Sequence, residues 1–449
     1  MKKEDENYKA LVKLLGENYS TFQKKFMERK NNLSFQTICV NGMFDKEEGH
    51  LFKSIRPPLI GSSSSPFIDN LEAAAILSYD APGFAYTRIN NLTNQFLEMQ
   101  MAMLEGYHLP FRTESLFTSS GMSAIATAIM SIVKMGDNIV SSNQVYGGTF
   151  QFFNVDLKNM GVEVNWVEYP SDINSWEKQI DEKTKLLFVE SPSNPLLFVA
   201  DIEELSKLAN AHNIPLIVDN TMASPVLTRP LQYGADIVIE SASKIICGSG
   251  RVIAGVLTSK DNINIKDPRP GLKENFAGYA RGNLYRNMGP AFSPFNAEKI
   301  IDELITLPLR VKQQSDSALK VAKFLENHPK ITEVNYPGLE SFKYHKEAKK
   351  YLKLADEGTN SFGFLLSFEV KGSKEATANI CKSLQIGYLA TDLGKSVTIF
   401  THPATTTHFQ LGDQERRKAG ISDNLIRYSV GLENPEDLIK DLQRALEKV

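Results

Sequence analysis

A lysine, a carboxylate and two hydroxyls follow two β-branched runs in the stretch Leu216 to Gly255. Ile217-Val218 ends on Asp219, and Ile237-Val238-Ile239 leads through Glu240 into Ser241-Ala242-Ser243-Lys244. Short apolar runs of this kind read as buried parallel strands, and open α/β sheets place ligands at the carboxyl ends of such strands. Together the four groups suit pyridoxal phosphate (PLP). The Lys244 amine can condense with its aldehyde, Asp219 can keep its pyridine nitrogen protonated so that the ring draws in electrons, and Ser241 and Ser243 can donate to its phosphate. An isolated lysine is ordinarily a solvated surface group, but one placed behind a strand and two hydroxyls is expected to do chemistry.

At these residues the chain resembles the Cys/Met-metabolism family of PLP enzymes, the trans-sulfuration enzymes, whose signature is S-x-[ST]-K with an upstream V-D-N-T. Further matches occur in the same order along the chain. Tyr86-Thr87-Arg88-Ile89-Asn90-Asn91-Leu92-Thr93 resembles Y-S-R-x-x-N-P-T, with Leu92 in place of proline. An arginine fork and a phenol suit a phosphate dianion. The resemblance implies that Tyr86 and Arg88 serve the cofactor of an adjacent subunit, so a homodimer at least is expected, with a homotetramer as the full assembly. Ser119-Ser120-Gly121-Met122-Ser123 precedes the Ala-rich segment 124–133 and reads as a helix start with free N–H groups. In the family the amides at Gly121 and Met122 go to the phosphate.

Tyr146-Gly147-Gly148-Thr149 matches Y-G-G-T, in which the tyrosine ring stacks on the pyridine and its hydroxyl can shuttle a proton. Glu190-Ser191-Pro192-Ser193-Asn194-Pro195 matches E-[ST]-P-[ST]-N-P, where Asn194 would reach the cofactor hydroxyl and the substrate carboxylate. Thr401 to His408, which includes Thr407, resembles the H-P-A-S-x-T-H loop. Ile426-Arg427-Tyr428-Ser429-Val430-Gly431-Leu432-Glu433 resembles I-R-L-S-V-G-I-E, whose arginine binds the substrate α-carboxylate bidentately. Arg427, Asn194, Asp392 and Thr407 are therefore the expected substrate contacts.

The elements that must hold these groups follow a βαβ rhythm, with strand signals at Asn138–Ser141, Val162–Val167 and Leu186–Val189. From about residue 285 the rhythm gives way to a long helix, Lys312–Asn327, and a strand, Phe362–Val370. The expected fold is α/β: a fold-type I PLP-dependent transferase, with a mainly parallel large domain and a smaller α+β C-terminal domain. Residues 1–80 form an N-terminal helix and arm, 81–285 the PLP-binding domain, and 286–449 the substrate-binding domain. Residues 1–33 carry apolar residues at helical spacing, and Ser62 to Ser65 belong to an ordered arm rather than a linker.

Across 449 residues the formal charge is -3, which gives no electrostatic case for nucleic acid or an anionic membrane. No apolar stretch approaches a membrane span, and the charged N-terminus does not resemble a secretory leader. Cys39, Cys247 and Cys381 are scattered and odd in number, which fits a reducing, cytoplasmic setting. The histidines show no metal-ligand spacing, and His402 is expected to be structural.

Departures from the family pattern cluster near the substrate. Glu240 stands where the family usually has His, Cys247-Gly248-Ser249 replaces G-G-H, and Arg251 replaces Asp or Thr. The family's S-L-G, or N-V-G in O-acetylhomoserine sulfhydrylases, is Asp392-Leu393-Gly394 here. Glu240 and Arg251 are expected to pair. In the implied chemistry Lys244 takes the Cα proton, and Tyr146 and Lys244 carry the later transfers. Gly148 stands where methionine γ-lyases tend to have Cys. With Phe409-Gln410-Leu411 and the phrase from Ala419 to Arg427, it points to PLP-dependent γ-replacement on an O-acylated homoserine by sulfide or a thiol. A γ- or β-lyase acting on cystathionine, methionine or cysteine is the alternative, and a catalytically inactive PLP-binding homologue is the alternative of another class.

Overall fold

The structure, a computed structural model, describes residues 6–407, 416 and 420–448. His408, Phe409-Gln410-Leu411 and Ala419, named above, lie outside the described residues.

Seven strands form the first sheet: β1 Thr113–Thr118, β2 Asn138–Ser142, β3 Glu163–Val167, β4 Thr184–Glu190, β5 Leu216–Asp219, β6 Ile237–Glu240 and β7 Gly255–Lys260. Their spatial order is β1-β7-β6-β5-β4-β2-β3. β2 to β6 run parallel, and β7 runs antiparallel to both of its neighbours. The apolar runs of β5 and β6 are buried on both faces, as a covered parallel sheet requires. Ile217, Ile237 and Ile239 enter one core layer, while Leu216 and Val218 enter the other. The carboxyl ends of β4, β5 and β6 therefore bring Glu190, Asp219 and Glu240 to one rim, with Glu190 and Asp219 directly opposite each other in the register.

The second sheet contains β8 Ile331–Asn335, β9 Leu365–Val370, β10 Tyr388–Leu389, β11 Ile399–Thr401 and β12 Leu425–Ser429, in the order β10-β11-β12-β9-β8. β12 is interior to this sheet, which explains why Arg427 on it is 3% exposed.

Helix α1, Glu6–Asn32, lies on its own chain. Tyr8 packs with Ala75 and Ala81, and the fully buried Lys30 donates to the carbonyls of Leu109 and Phe111. The Ser62–Ser65 arm is pinned along the Tyr86 loop: Ser65 N donates to Ala85 O, and Thr87 N donates to Ser63 O. Helix α2, Gly121–Ile132, starts on a capping box in which Ser120 and Ser123 satisfy each other's backbone N–H. Helix α3, Leu307–Glu326, joins the two sheets. Arg310 on it donates to the carbonyls of Ile245 and Ile246, while Gln314 donates to those of Lys395 and Val430. The charge-assisted Arg310 bonds contribute roughly 1.5–3 kcal/mol each and the neutral Gln314 bonds about 0.5–1.5 kcal/mol each, which together fix the Lys244 turn against the second sheet.

Candidate active site

Lys244 occupies a turn immediately after β6, closed by Lys244 N donating to Ser241 O and Gly248 N donating to Lys244 O, both at 3.0 Å. Its Nζ is 2.6 Å from Asp392 Oδ1. Burial first, and then the nearby Lys395 and Arg427 charges, push the Lys244 ammonium below its ordinary range. Asp219, one strand away, accepts from Thr221 N at 3.1 Å and Thr221 Oγ1 at 2.6 Å, both on Oδ1. Burial raises it to about 6, although the Thr221 bonds favour its ionised form.

Ser241 and Gly121 meet. A Cβ built on Gly121 would stand 2.7 Å from the Ser241 Cβ, so only glycine lets the start of α2 approach the Lys244 turn this closely. The amides of Gly121 and Met122, in the first turn of α2, then adjoin the Ser241 hydroxyl, which makes an anion cradle at a helix start. Ser243 is committed elsewhere: its hydroxyl donates to Ala254 O at 3.1 Å and accepts from Ala254 N at 2.9 Å. Arg88 donates to Arg286 O and lies over the Tyr86 ring at 5.5 Å; neither Tyr86 nor Arg88 bonds to the cradle of its own chain.

Arg427 is buried and remains cationic, with burial lowering it to about 10. Its Nη2 donates to Asp392 O at 2.8 Å, and its Nη1 faces Asn194 Oδ1 at 3.4 Å. Nε has no acceptor among the described residues. A buried guanidinium with spare donors, close to an amine base, is a ready seat for a carboxylate. Glu190, at the carboxyl end of β4, organises the opposite wall: Oε1 accepts from Asn194 N at 2.8 Å and Oε2 from Tyr146 N at 2.6 Å. Tyr146 is half exposed, and the Thr407 carbonyl lies 4.0 Å from where a Cβ on Gly147 would stand, so these residues frame the mouth. His402 is buried, facing Asp423 O through Nε2 and Thr405 Oγ1 through Nδ1.

The expected Glu240–Arg251 pair is absent among the described residues. Arg251 is exposed, whereas Glu240 is 1% exposed and neither of its oxygens meets a donor. The cause is direction: Glu240 ends an interior strand and points into the fold, toward Glu105, while Arg251 follows the left-handed Gly248 and Gly250 and is turned to solvent.

The sequence profile described as Cys/Met metabolism PLP-dependent enzyme matches residues 36–447. The chain belongs to this family. It is 36% identical to the O-acetyl-L-homoserine sulfhydrylase of Leptospira meyeri, over 93% of this chain and 98% of that protein. It is also 36% identical to the L-methionine gamma-lyase of Fusobacterium nucleatum subsp. polymorphum, over 89% and 95%. A crystal structure from Campylobacter jejuni assigned to O-acetylhomoserine (thiol)-lyase, with N'-pyridoxyl-lysine-5'-monophosphate in place, superposes with a TM-score of 0.82. The identity is 35%, covering 92% of this chain and all of that one.

As a member of the Cys/Met metabolism family the protein is a PLP-dependent enzyme of sulfur amino acids. The residues present fit the cofactor. The Gly121–Ser241 approach leaves a cradle that a Cβ would fill, and Asp219 leaves Oδ2 without a donor among the described residues. Sequence reasoning missed Lys395 and Glu105, which carry no local pattern and take their place only through folding, and it gave Glu190, the first residue of a matched motif, no role.

Proposed function

We propose that the protein catalyses γ-replacement on an O-acylated homoserine, with sulfide or a thiol as the incoming nucleophile. The observation that carries this reading is the Lys244 amine and the spare donors of Arg427 gathered around one residue, Asp392. When bound, PLP supplies an electron sink conjugated with the substrate Cα. Asp219 would hold its ring nitrogen, Lys244 would bind its aldehyde, and Ser241 with the Gly121 and Met122 amides would hold its phosphate. Ser243 would support the loop through Ala254, and its phosphate role would require the hydroxyl to turn.

Arg427 and Asn194 seat the α-carboxylate, which directs the Cα–H bond at Lys244. Lys244, its basicity lowered by burial and neighbouring cations, takes that proton at Nζ. A second proton leaves Cβ, the acylate departs from Cγ with the bonding electron pair, the thiolate forms the new C–S bond there, and the two protons return to Cβ and Cα. Tyr146 at the mouth is the second proton carrier, and Thr407 borders the entering nucleophile. Gly148 favours replacement over the methionine γ-lyase alternative: a Cβ there would stand 2.5 Å from Tyr146 Cε1, so the cysteine associated with those lyases would displace the ring.

In this reading residues 81–285 hold the cofactor and 286–449 the substrate carboxylate. Tyr86 and Arg88, turned away from their own cradle, serve a partner subunit in a homodimer or larger assembly. The unpaired cysteines suit a cytoplasmic setting.

Purified protein supplied with PLP, O-acetylhomoserine and sulfide is expected to release homocysteine and acetate, and borohydride reduction is expected to fix the cofactor on residue 244. Release of ammonia and 2-oxobutanoate from methionine, with no homocysteine from O-acetylhomoserine and sulfide, would replace this reading with the lyase. Protein that stays colourless with added PLP would end both.

A further inference from the structure

Lys395 has no part in the reaction above, yet its side chain is 5% exposed beside the lysine that does. Its ammonium meets two acceptors. One is Ser243 O, the carbonyl of the peptide that leads into Lys244. The other is Asp392 Oδ2, at 3.2 Å. The remaining Asp392 oxygen, Oδ1, is the one 2.6 Å from Lys244 Nζ. A single carboxylate is thus shared between two lysines, and the second lysine also grips the backbone of the first. The Gly250 side of the loop backs its stem, with a Cβ there at 3.6 Å from Lys395 Cδ.

The charges around Asp392 are Lys244, Lys395 and Arg427, three cations facing one anion. Burial raises the Asp392 carboxyl, but Lys244 and then Lys395 outweigh it and hold it below its usual range. Without Lys395, the Asp392 carboxylate would have Lys244 as its one ammonium partner and would hold it in the charged form. A lysine that must attack a carbonyl or accept a proton needs a free electron pair, so such a partner would trap it.

We propose that Lys395 is a positioning residue for Lys244: it supplies Asp392 with a permanent second counter-ion and holds the Ser243 carbonyl, so that Lys244 can lose its charge while Asp392 stays ionised and in place. This rests on Lys244 being the cofactor lysine.

The test follows the rate at which cofactor-free protein takes up added PLP, read by absorbance between pH 6 and about 9.5, a range that brackets a lysine brought down from its ordinary value. K395Q keeps a donor for Ser243 O and removes the charge. Its uptake midpoint is expected to lie about one pH unit above wild type, making uptake at pH 7 about tenfold slower, and the two rates should converge at the alkaline end. K395R is expected to restore the wild-type midpoint. D392N should move the midpoint down, and D392N/K395Q should bring it back to or below wild type, a reversal that a merely structural lysine would not produce.

A folded K395Q with an unmoved midpoint, or a shift that D392N fails to reverse, overturns the proposal. If K395Q does not fold, D392N alone decides, because an unlowered midpoint there removes the shared carboxylate from the account. Wild-type protein that takes up no PLP at any pH would instead sink the assignment of Lys244.

Discussion

At the carboxyl ends of β4 to β6, Glu190, Asp219 and Glu240 stand at one rim, with Glu105 behind Glu240 and the Arg229 guanidinium facing Glu105. Across the pocket the proportion is reversed, with Lys244, Lys395 and Arg427 around Asp392. On the acid side, burial and then like charges push Glu190 and Glu240 well above their ordinary values, while burial alone, against the pull of Arg229, brings Glu105 to about 8. On the basic side burial depresses Lys244 and Arg427, while their one anion is held ionised. The two sides therefore store protons in opposite ways. The acid rim keeps protons that exposed carboxyls would lose, and on the basic rim Lys244 gives up its proton more readily than an exposed amine would.

The difference can be broken most severely at Lys244. K244A is expected to lose at least about 1,000-fold in turnover and all borohydride-fixed cofactor, since the one amine able to do both jobs is gone. If turnover fell less than tenfold, the basic side would not be the reactive one.

R427K comes next. It retains the charge but loses the fork, so KM for the amino acid should rise by roughly 10- to 100-fold, corresponding to a charge-assisted bidentate contact of about 1.5–3 kcal/mol, with kcat less affected. Steady-state kinetics at constant nucleophile concentration would measure it, and an unchanged KM would move the carboxylate seat elsewhere.

The smallest effect belongs to the acid side and is one of stability. Glu105 and Glu240 hold protons in the folded protein that the unfolded chain releases above its ordinary carboxylate range. Folded stability should therefore fall as pH rises from the ordinary glutamate value of 4.5 toward about 8. E240Q removes a buried acid whose oxygens find no donor, so its thermal melts should show a flatter pH slope and a gain of about 1–3 kcal/mol at pH 8. A slope as steep as wild type would mean that Glu240 is ionised already at pH 5.

How much of this was legible beforehand depended on distance along the chain. Asp219, Ser241 and Lys244 could be named because each ends or follows a short apolar run, and sheet geometry sends such groups to one rim. Gly121 and Met122 were visible as a helix start after small residues. Strands β2 to β6 of the first sheet were readable as short apolar runs, whereas β1 and the antiparallel β7 were not, because their place depends on how the chain returns. Pairing Glu240 with Arg251 failed because proximity in sequence says little about direction once a strand end is buried and two left-handed glycines follow it. Ser243 matched a motif, but the returning Ala254 strand lead captured its hydroxyl.

What the amino-acid order determined alone was the set of reactive groups and the sheet that presents them, because alternation of apolar residues and the strand ends are local properties. Only the tertiary structure decided their charge states. The Lys244–Asp392 contact spans 148 residues, Lys395 reaches Ser243 over 152, and Glu105 meets Asn220 over 115. Electrostatic shifts depend on distance and burial in space, and neither can be read from spacing along the chain.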